Sequence, residues 1–163
     1  MRNDANKCTS VQGEQIPEIG NKVINAVNSE ALNEALETKS ILLNGELTFD
    51  ISNADFVFAL LYKCEICLTN DPQNIFSFFL LLEKRNTESI YAVPSAWKQI
   101  IKTGNLLKKN KFEFIKQINS GGEILTKDLF LKLNKFAPKA KIYNFYGPTE
   151  FTINSHYSKI TNL

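Results

Sequence analysis

Histidine, methionine and tryptophan each occur once in this chain, cysteine only three times, and both charge signs are nearly balanced. Each scarcity excludes something. With His156 as the sole histidine and no cysteine near it, a His–Cys or His-rich metal site has no ligands to draw on. Three cysteines fit a reducing, cytoplasmic setting. The C-x-x-C of Cys64-Glu65-Ile66-Cys67 reads as strand, where positions i and i+3 face opposite sides, and no second C-x-x-C completes a metal set. Core packing is therefore expected of these thiols. Lysine and arginine number 19 against 17 acidic residues, a net charge of +2, so no nucleic-acid or membrane partner is implied. Lys108-Lys109-Asn110-Lys111 reads as a solvated loop. The apolar run Ile75–Leu82 is broken by Ser77 and ends in Glu83-Lys84-Arg85, too short to span a membrane. Met1 to Gln15 holds no apolar core of a signal peptide.

What the chain does have is 44% hydrophobic residues over a length of 163, enough for one domain with a sizeable core. Residues 1–20 are polar and weakly patterned and are expected to form a leader that starts disordered. Val23, Ile24, Val27, Ala31, Leu32 and Ala35 recur at helical spacing over 21–37. Strands and helices then alternate. Strands are expected at Ile41–Leu43, Glu65–Leu68, Ser89–Val93, Phe114–Asn119 and Lys141–Asn144. Helices are expected at Ala54–Tyr62, Ile75–Lys84, Ser95–Lys102 and Thr126–Phe136. The alternation predicts an α/β fold, a mostly parallel sheet flanked by helices with right-handed crossovers. No internal repeat or linker divides the chain.

The informative stretch is Ile142-Tyr143-Asn144-Phe145-Tyr146-Gly147-Pro148-Thr149-Glu150. An apolar strand runs into Gly-Pro and must stop there, because proline fixes φ and lacks an N–H. A hydroxyl and a carboxylate follow at once, and Tyr146 stands beside the turn, able to stack on a base. Polar groups at a strand end are where open α/β sheets bind ligands.

Asn144-Phe145-Tyr146-Gly147-Pro148-Thr149-Glu150 resembles the Asn-x-Tyr-Gly-Pro-Thr-Glu motif of adenylate-forming enzymes. It is most similar to the amino-acid adenylation domains of nonribosomal peptide synthetases and to D-alanine–carrier protein ligases. The resemblance implies that Tyr146 packs on adenine, that Thr149 contacts the α-phosphate of ATP or AMP, and that Glu150 binds Mg²⁺; Thr149 and Glu150 become the catalytic candidates. Three further stretches match in order. Phe49-Asp50-Ile51-Ser52 resembles a motif whose Asp binds the substrate's α-ammonium, while Asp50 or Ser52 also reads as a helix N-cap. Tyr91-Ala92-Val93-Pro94-Ser95 resembles a strand-end turn. Asn119-Ser120-Gly121-Gly122-Glu123 resembles a Gly-Gly-Glu turn that approaches the nucleotide, since glycine permits close backbone approach. Ser120, Gly121, Gly122, Glu123, Asn144, Tyr146 and Thr149 are thereby implied to bind nucleotide.

The resemblance also implies a substrate pocket of Asp50, Ile51, Ala54, Ala92, Ile118, Ser120, Phe145, Ile153 and Asn154. One carboxylate in an otherwise mostly apolar set suggests an α-amino acid with an apolar or small polar side chain. Each apolar member can equally be core.

The chain departs from the family near its start. Thr9-Ser10-Val11-Gln12-Gly13-Glu14 and Pro17 echo the family's phosphate loop, but Val11 stands where a glycine is needed and Glu18 where a lysine is. The expectation is a fragment of the large N-terminal subdomain, with residues 21–163 a partial AMP-binding domain. The partners implied are an amino acid, ATP, and a carrier protein or the remainder of the domain. A non-catalytic remnant that binds nucleotide weakly, or an interaction module, remains the alternative.

Overall fold

A strand buried on both faces reads as a continuous apolar run, and Ile41-Leu42-Leu43 is such a run. In the computed structural model, which describes residues 38–43, 52, 55, 56, 59, 60, 63–69, 71, 74–147 and 156–161, it forms most of β1 (Ser40–Leu43), buried throughout. Residues 52, 55, 56, 59 and 60 are helical. There follow β2 (Glu65–Leu68), α1 (Ile75–Arg85), β3 (Ser89–Tyr91), α2 (Pro94–Leu106), β4 (Gln117–Gly121), α3 (Lys127–Phe136), β5 (Lys141–Tyr146) and β6 (His156–Lys159). The leader and the helix over 21–37 lie outside the described residues.

The helices begin and end for local reasons. Asn74 caps α1, its side chain accepting from the Phe76 N–H at 3.0 Å, and Asn86 closes it in the left-handed region that asparagine tolerates. Pro94 opens α2, where its missing N–H costs nothing. The Thr126 side chain caps α3 by accepting from the Leu129 N–H. Each helix turns one apolar stripe inward: Phe78, Phe79 and Leu82 from α1, Trp97, Ile100 and Ile101 from α2, Leu129, Phe130, Leu133 and Phe136 from α3.

The strand order is β2-β1-β3-β4-β5-β6. All pairings are parallel except β5 with β6. The connections through α1, α2 and α3 all step the same way along the sheet, so right-handed crossovers put the three helices on one face. Their stripes join Leu42, Ile90, Ile118 and Ile142 in one core. The connection from β1 to β2 steps the other way, and the same handedness assigns it to the opposite face. That face carries a smaller aromatic cluster of Tyr91, Tyr143, Phe145 and Tyr157.

A half-buried carboxylate ties the beginnings of the central strands. Glu88 accepts from the Lys39 N–H at 2.7 Å and pairs with Lys116 at 3.1 Å. Its own N–H donates to Ser40 Oγ, and its carbonyl accepts from the N–H groups of Lys116 and Gln117. These bonds set the start of β4 at Gln117, three residues later than the sequence pattern suggests. Phe114 and Ile115 instead pack into the core before the strand begins.

β6 was not expected from the sequence. It pairs Tyr157 with Phe145 and His156 with Tyr146, and it extends β5 two residues past Asn144. The thiols of Cys64 and Cys67 are both pushed up by burial, and Cys64 Sγ donates to the Thr38 carbonyl. Among the described residues no helix is long and apolar enough to cross a membrane.

Candidate functional site

The parallel strands β3, β4 and β5 end side by side. At the end of β4, Gly121 is registered with Phe145. A Cβ on Gly121 would collide with the Tyr91 hydroxyl and stand 2.7 Å from the Phe145 carbonyl, so only glycine fits. Gly122 follows at φ +80, a conformation glycine adopts without strain, and turns the chain away from the sheet.

This turn and the end of β5 enclose a cleft of about 430 Å³ lined by Gly122, Glu123, Ile124 and Leu125 on one side and Asn144, Phe145, Tyr146 and Gly147 on the other. Two large apolar side chains border it in the open: Ile124 is 85% exposed and Tyr146 69%. Beneath them lie two buried polar atoms, Asn144 Oδ1 and Ser120 Oγ, with no hydrogen-bond partner among the described residues. Ser120 and Asn144 are registered with each other across β4 and β5, so they share a face of the sheet. A buried polar atom left without a partner costs about 1–3 kcal/mol, so such atoms in a cleft wall mark where a donor belongs. The arrangement can take a flat ring that carries a hydrogen-bond donor on its edge.

Glu123 sits on the rim but is already engaged. Its Oε2 accepts from the Ser95 N–H at 2.9 Å and its Oε1 from the Ser95 hydroxyl at 2.6 Å.

The residues singled out from the sequence divide into groups. Asp50, Ile51, Ala54, Thr149, Glu150, Ile153 and Asn154 lie outside the described residues. Gly122, Glu123, Asn144 and Tyr146 meet at the cleft, with Gly121 and Ser120 directly behind them. Ala92 and Ile118 belong to the core beneath the helices, whereas Phe145 belongs to the aromatic cluster on the other face. The structure therefore does not bring Ile118 and Phe145 together. Sequence reasoning missed Ile124 and Ser95. The only signal for Ile124 was a large apolar residue directly after Gly-Gly-Glu, where a turn should be polar. It also passed over Asp55, whose partly buried carboxyl is pushed up to about 7 by desolvation. Among the described residues no three His, Cys, Asp or Glu side chains are grouped to hold a metal ion.

With this geometry in hand, comparison with known proteins is specific. The family model described as AMP-binding enzyme matches residues 18–162. The chain is 33% identical over 85 residues to indigoidine synthase of Streptomyces lavendulae, covering 52% of this chain and 6% of that protein. It is 28% identical over 116 residues to the PKS-NRPS hybrid synthetase acdB of Aspergillus candidus, covering 69% of this chain and 4% of that protein. The chain thus spans a small fraction of the curated relatives it matches. Among solved structures, the nonribosomal peptide synthetase FmoA3 superposes with a TM-score of 0.76 at 18% identity, over 86% of this chain and 16% of that one. The same likeness is found to its AMPPNP-bound form. PA1221, a synthetase protein containing adenylation and PCP domains, gives a TM-score of 0.67 at 20% identity, over 88% of this chain and 28% of that one. These likenesses show the fold.

Proposed function

This chain belongs to the AMP-binding enzyme family, and on that premise we propose that it supplies the nucleotide-binding strand ends of an adenylation domain. The reaction is activation of an amino acid with ATP to an aminoacyl-AMP with release of pyrophosphate. One observation carries the reading: Asn144 Oδ1, buried and without a donor among the described residues, belongs to the same cleft as the exposed ring of Tyr146. Adenine offers both complements, a flat face for Tyr146 and an amino group that donates to Asn144. Ile124 borders the cleft beside the glycine turn, and Ser120 is registered with Asn144 across the two strands.

Thr149 and Glu150 follow Gly147 closely in sequence and are the residues proposed for the phosphates. Thr149 would donate to the α-phosphate. Glu150 would hold Mg²⁺, which supplies charge neutralisation at the phosphates when bound. Asp50 would pair with the α-ammonium of the amino acid. Phe145, on the sheet face opposite α1, α2 and α3, would stand beside the substrate. Ile51, Ala54, Ser120, Ile153 and Asn154 complete the proposed lining on the strength of the motifs, whereas Ala92 and Ile118 stay in the core beneath the helices. A carrier protein is the acceptor this chemistry calls for.

The test is titration of the isotopically labelled full chain with AMP and with ATP, with and without Mg²⁺. Ring stacking and one or two hydrogen bonds contribute about 1 kcal/mol each, so affinity on the order of millimolar is expected. The amides of Gly121, Gly122 and Tyr146 should shift. Asn144→Leu should abolish the shifts, and Glu150→Gln should remove the gain that Mg²⁺ gives ATP. Shifts confined to other residues, or none, would refute the site.

A second reading, nucleotide binding without adenylate formation, is favoured by Val11 and Glu18 standing where the family's phosphate loop has glycine and lysine. Amino-acid-dependent pyrophosphate exchange above a Glu150→Ala control would exclude it.

A further inference from the structure

Helix α2 has an unusual beginning. Its N-cap is Val93, whose side chain cannot accept a hydrogen bond, and Pro94 follows. The next free N–H, that of Ser95, is satisfied from outside the helix by Glu123 on the following strand-to-helix turn. The same carboxylate takes the Ser95 hydroxyl with its other oxygen. A negative group at a helix N-terminus is also favoured by the helix dipole. Behind this pair the two turns are joined again. The Ala92 N–H donates to the Asn119 carbonyl at 3.1 Å, and the buried Trp97 indole N–H donates to the same oxygen at 3.3 Å.

The Gly-Gly-Glu turn is thus pinned at both ends, by Asn119 before the glycines and by Glu123 after them. Gly122 between them has open space around it; a Cβ there would meet only Val93 Cγ1, at 3.5 Å. The β4–β5 ladder holds Gly121 on one side of it and the Glu123 pin holds the other, and it forms one wall of the cleft.

We infer that Glu123 is a positioning residue: through Ser95 it fastens the Gly121-Gly122 wall of the nucleotide cleft to the Ala92–Ser95 turn at the start of α2. It does so through its two bonds to Ser95 rather than through the nucleotide. The pin also joins two of the motifs, one expected at the substrate and one at the nucleotide. The inference rests on the nucleotide reading for its functional consequence and on the free protein for its structural one.

The experiment compares the full chain with Ser95→Ala, Glu123→Ala, Glu123→Gln and the Ser95/Glu123 double alanine variant, all well below their unfolding midpoints. Two quantities are read: the AMP dissociation constant from chemical shifts, and hydrogen exchange at the Gly121 and Gly122 amides without ligand. Glu123→Ala, which removes both bonds, should weaken AMP about fivefold, and the double variant should be no weaker than Glu123→Ala alone. Ser95→Ala removes only the hydroxyl contact and keeps the backbone N–H bond, so it should fall between parent and Glu123→Ala, as should Glu123→Gln, which keeps one acceptor. Exchange at Gly122 should quicken in Glu123→Ala and less in Ser95→Ala. Loss of AMP affinity in Glu123→Ala with exchange at Gly122 unchanged would make Glu123 a direct ligand and overturn the inference. If the parent chain shows no AMP shift at all, the nucleotide reading fails, and quickened exchange in both variants would still establish the pin.

Discussion

Replacing Gly121 by alanine adds one methyl group where three strands meet. The new Cβ would collide with the Tyr91 hydroxyl and stand 2.7 Å from the Phe145 carbonyl oxygen and 3.1 Å from the Phe145 Cβ. The tyrosine hydroxyl ends a side chain that can swing aside. The Phe145 carbonyl is backbone of β5, in direct register with Gly121, and cannot retreat without disturbing the ladder. Overpacking costs about 1–3 kcal/mol, and a backbone neighbour puts this case near ~3 kcal/mol. For a chain of this length each kcal/mol moves the unfolding midpoint by about 2–4 °C, so Gly121→Ala is expected to melt about 6–12 °C below the parent. Gly122→Ala is the informative comparison. It has room for a methyl but sits at φ +80, so its cost is the left-handed backbone alone, about 1–2 kcal/mol or about 2–8 °C. Scanning calorimetry of the full chains ranks the two. A Gly121→Ala midpoint within about 1 °C of the parent, or a smaller loss than that of Gly122→Ala, would refute crowding as the reason for the first glycine.

Asp55 should make stability fall as pH rises. Its folded carboxyl, pushed up to about 7 by burial, binds more protons than the unfolded chain between about pH 4 and pH 7, so Asp55→Asn should raise the midpoint at pH 8 and leave it unchanged at pH 4. Glu113 should behave oppositely. The adjacent Lys111 and Lys139 ammonium groups pull it down to about 2, so what it contributes is present above the ordinary carboxylate range and lost as pH falls through about 2; its carboxyl carbon should titrate there by NMR and move back up in about 1 M salt. Trp97→Phe should cost about 2 kcal/mol, mainly through lost volume against Phe136, because the Asn119 carbonyl keeps the Ala92 N–H as a donor; a midpoint unchanged in calorimetry would contradict this.

The alternation of strands and helices was legible because each element carries its own signal. Ile41–Leu43 is a short fully apolar run, α3 has one clean stripe, and Pro94 and Asn74 mark helix starts. What sequence could not give depends on neighbours. The pattern ended this helix at Lys102, yet α2 runs on to Leu106 with Gly104 buried. β6 has only Tyr157 to hint at a strand, and its pairing is earned by β5 and the aromatic cluster beyond. At the site, Gly-Gly and Asn-Phe-Tyr were visible as motifs, and the cleft does gather their backbones. Which face each side chain takes was not visible, because that is set by register between strands far apart in sequence. Hence Ile118 and Phe145 stand on opposite faces. Glu123 was singled out by the resemblance to a Gly-Gly-Glu turn; its attachment to Ser95 was not visible, because it exists only once two crossovers have closed.

The Glu88 node at the beginnings of β1, β3 and β4 has a mechanical meaning. Three strands are riveted at one pole by the carboxylate, the backbone carbonyl and the backbone N–H of one residue, which make five contacts with Lys39, Ser40, Lys116 and Gln117. β3 and β4 are thus clamped at both poles, by Glu88 at their beginnings and by the Ser95–Glu123 bonds beyond their tips, as a plank is held by a nail at each end.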